Sequence, residues 1–253
     1  MKKNIEIELP FFFKSIITNN LFRCGKKNDG GYIVSKNDID KTDILLSLGM
    51  NDDWSFETDF IKKKDVPVLI YDGLVDYKFW LKKIFIETIK NPFNFYFLKK
   101  LISYKYFFNN KRRLIKKFVG FNSNRDNFCT LSSIINSLKH HNIFIKIDIE
   151  GDEYRLLETL ILNQDKFTGL VIEFHDCDIH IKKIENFIKN FNLRLINVHG
   201  NNFAPINLDK GLPLVLELSF SNHSITDNLA IQNTSLETAN NPNDIDISIS
   251  VKS

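Results

Sequence analysis

The stretch IFIKIDIEGDEY, residues 143–154, decides the fold. Ile143, Ile145, Ile147 and Ile149 alternate with Phe144, Lys146, Asp148 and Glu150, the period of two that marks a strand, and Gly151 ends it. Residues 152–162 then bring Leu156, Leu157, Leu160 and Ile161 to helical spacing. A strand that hands over at once to a helix is half of a βαβ unit. Working outward, the same alternation recurs. Strands are expected at 42–49, 66–71, 118–121, 169–175, 193–198 and 212–220, with helices at 131–138 and 179–191. Together with 143–150 this makes about seven strands in one α/β domain built on a parallel sheet.

The chain has 253 residues, 43% hydrophobic and 26% charged, which is globular and excludes general disorder or collagen-like repeats. Cys24, Cys129 and Cys177 are too few and too scattered for a disulfide framework or a four-cysteine zinc site. The start, MKKNIEIELP, lacks the apolar run of a signal peptide, and no stretch has the length of a bilayer span. A soluble, cytoplasmic protein is expected.

Net charge is only +3, yet it is unevenly spread. Residues 78–117 hold twelve Lys and Arg against a single acid, Glu87, a local +11 that leaves −8 for the remainder. The same window is dense in Phe, Tyr and Trp. Such interleaving suits single-stranded nucleic acid, an anionic lipid surface or an anionic glycan. The plainer reading is a helical insertion over 76–117, broken near Asn91-Pro92, whose rings pack inward while lysines extend to water. Residues 221–253 turn polar and Asn-rich and read as a loosely held tail. Within it Ile245, Ile247, Ile249 and Val251 alternate and suit an added edge strand.

In an open parallel sheet ligands bind beyond the carboxyl ends of the strands, so chemistry is sought just after each run. After 42–49 comes Gly49, where a ligand can approach backbone, followed by Asn51-Asp-Asp-Trp54. Two aspartates there repel a pyrophosphate and favour a ligand with cationic groups. Asp72, at the next strand end, can bridge two ribose hydroxyls or simply cap a turn. Asp148, Glu150, Glu173 and His175 form the densest cluster, and they converge at one rim if their strands are neighbours. Buried carboxylates are costly unless paired or bound to a cation. His175 offers a general base with an ordinary pKa of about 6.5 that neighbouring carboxylates raise. His199-Gly-Asn-Asn202 and Asp29-Gly-Gly-Tyr32 are weaker candidates, because Asp-Gly and Gly-Asn pairs also mark ordinary turns.

Asp29-Gly-Gly-Tyr32, Ser47 to Glu57, Ile145 to Tyr154, Glu173-Phe-His-Asp176, His199-Gly-Asn-Asn202 and Leu216 to Phe220, in that order, resemble the FkbM-type family of S-adenosylmethionine-dependent methyltransferases. The likeness runs over residues 29–220, and KIDIEGDEY is its most specific part. It implies a Rossmann-like seven-stranded methyltransferase sheet of order 3-2-1-4-5-7-6 with strand 7 antiparallel, and S-adenosyl-L-methionine as cofactor. The insertion then lies between strands 2 and 3, longer than the family's usual connection. The first loop also carries less glycine than is usual there.

By that resemblance Gly31, Tyr32, Gly49, Asn51, Asp72 and Asp148 bind the donor, while Glu150, His175 and His199 face the acceptor beside Asp148. The expected reaction is O-methylation of a hydroxyl on a surface carbohydrate or small metabolite, with His175 or His199 as base. A divalent metal on the carboxylates ranks below a side-chain base, because the spacing matches no recognised metal motif. A nucleic-acid-binding protein or methyltransferase using the basic segment is a lower-ranked alternative, because no recognised RNA-binding signature is present. Peripheral contact through the basic segment and an oligomeric state stay open, as does an inactive donor-binding module.

Overall fold

A computed structural model describes residues 4–16, 20–91, 95–120, 125–223 and 236–252. Its centre is a seven-stranded sheet: β1 (Ile44–Leu48), β2 (Val68–Tyr71), β3 (Arg112–Ile115), β4 (Ile143–Ile147), β5 (Phe167–Phe174), β6 (Arg194–Gly200) and β7 (Leu216–Ser221). The spatial order is β3-β2-β1-β4-β5-β7-β6, with β7 antiparallel to both neighbours and the pairs from β3 to β5 parallel. The chain therefore has the expected Rossmann-like methyltransferase topology.

Every residue of β1, β4 and β5 is buried, as central strands covered on both faces must be. The alternation in β4 sorts its side chains between two cores. Ile143, Ile145 and Ile147 pack with helices α5 (Leu131–Ser137), α6 (Leu157–Leu162) and α7 (Cys177–Asn190). Phe144 points the other way, toward α1 (Lys36–Lys41) and α2 (Ser55–Lys63), with Ile39, Phe56 and Phe60 around it. The basic window folds as two helices, α3 (Tyr77–Lys90) and α4 (Tyr96–Phe107), on this second side. They are anchored by Trp80, whose ring meets Trp54 edge-on at 5.8 Å and Tyr104 at 5.5 Å.

The third sheet strand is not 118–121. Phe118–Val119 pairs instead with Phe128–Cys129 in a short ladder of its own, and Phe121 lies outside the described residues. The sheet strand is Arg112–Ile115, inside the basic window. As an edge strand it pairs on one side only, so it tolerates two arginines before Leu114 and Ile115 and carries no hydrophobic alternation. The expected 212–220 strand is split. Leu212–Pro213 pairs with Ile206–Asn207, and β7 begins at Leu216. Ile247–Val251 does form a strand, but beside Ile5–Leu9 rather than on the main sheet.

The tail's described part, 236–252, is not loosely held. Asn240 is buried and bonds to His199 and Glu217, and Glu237 pairs with Arg23 and His199. Asn233 and its neighbours to 235 lie outside the described residues.

Gly49 fixes the join between β1 and β4. Its φ is +82°, and a Cβ there would stand 1.6 Å from the Asp148 carbonyl oxygen. Gly49→Ala should therefore cost at least about 1–2 kcal/mol from the left-handed backbone alone, before the overlap is relieved. A thermal melt several degrees below wild type is the expected reading.

Candidate functional site

Two cavities open at the carboxyl ends of the strands. The larger, about 390 Å³, lies over β1, β2 and β4 and is lined by Gly49, Asn51, Asp72, Phe118, Asp148 and Glu150, among others. The smaller, about 330 Å³, lies over β4, β5 and β7 and is lined by Glu173, His175, Asn201 and Phe203. Asp29, Asp148 and Glu150 border both. The Asp148 and Glu150 carboxylates therefore sit at the passage between them. Glu150 takes a left-handed backbone (φ 57°), as does Asn51 (φ 50°). For a glutamate, which has little to gain there, this is local strain held at the rim.

The loop after β1 is shaped by acids. Asp72 accepts from four backbone N–H groups: Met50 at 3.0 Å, Asn51 at 2.8 Å, Leu74 at 2.8 Å and Val75 at 3.2 Å. A carboxylate has about four lone-pair sites, so both oxygens are committed to backbone. The turn-capping reading of Asp72 is realised, and Asp72 also lines the larger cavity. Asp53 pairs with Lys26 at 2.9 Å, and Asp52 pairs with Lys83 of α3 at 2.9 Å. Lys100 of α4 also reaches the Asp52 backbone oxygen. The insertion thus grips the cavity's own loop.

Lys146 is buried beneath the site and donates to the Gly49 carbonyl at 2.9 Å. Burial opposes its charge, yet Glu57 and Asp148 keep its pKa raised. Asp148 has no hydrogen-bond partner or ion pair for its carboxylate among the described residues. Burial pushes its pKa up, with Lys146 and His175 pulling the other way. Glu150 is raised by burial and by Asp148. Glu173, bonded by Tyr32 at 3.1 Å and Asn201 at 2.9 Å, is raised well up by burial and then by Asp148. These acids repel one another, and a cation placed among them relieves all three.

His175 stands at the far side of the passage. Its Nδ1 lies 3.0 Å from Glu153, a glutamate with no exposed surface that also accepts from the Gly151 N–H. That contact assigns the proton on Nδ1 and turns Nε2 toward Glu150 at 3.5 Å and Glu173 at 3.9 Å. Burial disfavours the imidazolium, but the Glu153 hydrogen bond and the surrounding carboxylates outweigh it and raise the pKa to about 9. Asp148, Glu150 and His175 each offer a ligating atom, all within 4.8 Å of one another.

Other expected site residues stand elsewhere. Gly31 and Tyr32 are buried behind the larger cavity rather than in its wall, which Asp29 and Gly30 form instead. Gly31 is needed for packing, since a Cβ would meet the Lys26 carbonyl oxygen at 2.0 Å. His199 lines neither cavity. Its Nε2 lies 2.8 Å from Asn240 and its Nδ1 3.3 Å from Glu237, so it pins the tail rather than facing an acceptor. Sequence reasoning passed over Glu153 as a helical residue. The signal was the turn-forming Gly151 two positions before it, which curls its carboxylate back to the strand end.

No family model matches the chain, and no curated protein matches it. Among solved structures it is similar to a Streptococcus mutans protein in complex with SAH, at 12% identity over 71% of this chain and 89% of that one, with a TM-score of 0.39. It is similar to methyltransferase FkbM from Methylobacillus flagellatus at 13% identity, over 84% and 48% of the two chains, with a TM-score of 0.38. Spermidine synthase from Thermotoga maritima is similar at 10% identity, over 76% and 57%, with a TM-score of 0.40. The chain spans about half the length of the FkbM protein. These likenesses are distant and concern the fold alone.

Asp72→Ala should strip four N–H groups of their acceptor, costing about 1–3 kcal/mol or more. Amide exchange at Met50 and Asn51 should quicken in the unliganded protein. Unchanged exchange would show that Asp72 does not clasp the loop.

Proposed function

We propose that the protein is an S-adenosylmethionine-dependent methyltransferase acting on a hydroxyl of a carbohydrate or small metabolite. The observation that carries this reading is the unpartnered Asp148 carboxylate, flanked by Glu150, at the passage joining the two cavities. A buried carboxylate with no direct ion pair, beside a second acid, suits a ligand that brings its own positive charge. The larger cavity has the size of a small-molecule site. Gly49 lines it, and Phe118 and Leu74 supply apolar wall for a base. Bound there, the donor supplies an electrophilic methyl on a sulfonium.

The smaller cavity suits the acceptor. Phe203 is 60% exposed at its edge, a flat apolar surface for the face of a sugar ring, while Asn201 and Glu173 present polar atoms beside it. Holding acceptor and donor in line across the passage supplies on the order of 7–11 kcal/mol of the barrier. An alcohol also needs its proton drawn off. His175 Nε2 is the group for that, with Nδ1 locked by Glu153. With a pKa of about 9 it is protonated at neutrality in the free protein. A cation entering beside Asp148 and Glu150 opposes that charge and frees Nε2 to accept.

A second reading has the same atoms hold a divalent cation that acidifies the hydroxyl, since a histidine whose other nitrogen bonds a carboxylate is also a good metal ligand. Loss of turnover in EDTA, restored by Mg²⁺, would select it.

Titration calorimetry tests the donor site. Asp148→Asn should weaken S-adenosylmethionine on the order of tenfold, and S-adenosylhomocysteine, which lacks the charge, much less. Equal loss for both would remove the electrostatic basis of the reading. His175→Gln should cut kcat while leaving donor affinity nearly intact. In wild type, kcat/KM should rise with pH toward about 9, because the base works only after losing its proton, and the variant should lose that limb.

A further inference from the structure

We propose that helices α3 and α4 form a docking surface for an anionic lipid bilayer. Each helix is apolar on two sides. Trp80, Leu101 and Phe107 face the core. Opposite them, Tyr77, Leu81, Phe85 and Ile89 form an i, i+4 stripe along α3, and Leu98, Ile102 and Tyr106 do the same along α4, with Phe95 just before it. All of these are between 43% and 82% exposed. A surface helix of a globular protein normally turns polar residues outward, so two exposed apolar stripes on helices that touch each other call for a cover.

The charges identify that cover. Lys83 and Lys100 are drawn inward to Asp52. Lys78, Lys82, Lys90, Lys99 and Lys105 form no salt bridge among the described residues, and Lys78, Lys82, Lys99 and Lys105 flank the exposed stripes. Glu87 is the one acid in either helix. A second copy of this chain would set lysine against lysine. Nucleic acid would satisfy the lysines but leave Leu81, Ile89, Leu98 and Ile102 against water or phosphate. An anionic bilayer answers both, with headgroups for the ammonium groups, the acyl boundary for the aliphatic side chains, and tyrosines at the interface. No helix among the described residues is long and apolar enough to cross a membrane, so the contact is peripheral. Because α3 and α4 hold Asp52, docking bears directly on the loop that lines the larger cavity.

Co-sedimentation of the full chain with vesicles tests this. Wild type should pellet with phosphatidylcholine–phosphatidylserine vesicles, far less with phosphatidylcholine alone, and less again as salt rises. The double variants F85S/I89S and K82E/K99E should each lower partitioning on the order of tenfold or more, with melting temperatures near wild type. Failure of wild type to bind the anionic vesicles overturns the proposal. So does F85S/I89S binding as wild type does. So does a concentration-dependent dimer in ultracentrifugation that F85S/I89S abolishes, which would make the cover a second copy. Tight binding of an RNA oligonucleotide that survives F85S/I89S but not K82E/K99E, with no vesicle binding, would make it nucleic acid.

Discussion

Everything at the site hangs on the contact of Gly49 with the Asp148 backbone. The ends of β1 and β4 approach so closely there that no side chain fits between them. The approach brings the loop after β1, cinched by Asp72, against the acidic tip of β4. One cavity forms over β1 and β2 and another over β5 and β7, with Asp148 between them. The strand order reverses at this place, where an open sheet leaves a crevice. Once the two strand ends are fixed, the carboxylates have nowhere to go but the passage, and their mutual repulsion becomes a stored preference for a cation.

Legibility in the sequence followed burial. The central strands were readable because burial on both faces leaves unbroken runs of Ile, Leu and Val, and in β4 the alternation even sorted side chains between the two cores. The edge strand β3 was not, since Arg112 and Arg113 merge with the surrounding lysines and nothing about an edge forces apolar residues outward. Phe118 and Val119, apolar enough to pass for that strand, are used as cavity wall instead.

Side-chain roles were legible only where neighbouring strand ends bring the groups together. Of the expected cluster only Glu173 lies within a strand. β4 ends at Ile147 and β5 at Phe174, so Asp148, Glu150 and His175 stand just past the strand ends, Glu150 in a left-handed turn (φ 57°), and converge because the two strands are neighbours. Asp72 and His199 stand at strand ends as well, but their partners come from remote segments. Met50 and Asn51 donate to the first, and Asn240 and Glu237 meet the second. Those tertiary contacts have no local signature. Glu153 is hidden for the opposite reason, since its buried setting comes from a 3-10 turn, Glu153–Arg155, where the pattern reads as an amphipathic helix. The basic insertion shows both sides of this. Packing accounts for its inward rings and for two of its lysines, and its outward stripes are what packing does not explain.

The claim that the acids gather for a cationic ligand is tested most directly by following the His175 imidazole by NMR as pH is varied. In the free protein its carboxylate neighbours hold the pKa at about 9. A sulfonium ligand in the larger cavity should lower that value, and the uncharged thioether analogue should leave it nearly in place. An imidazole that titrates identically with and without the sulfonium compound, at concentrations that saturate its binding, would contradict the account.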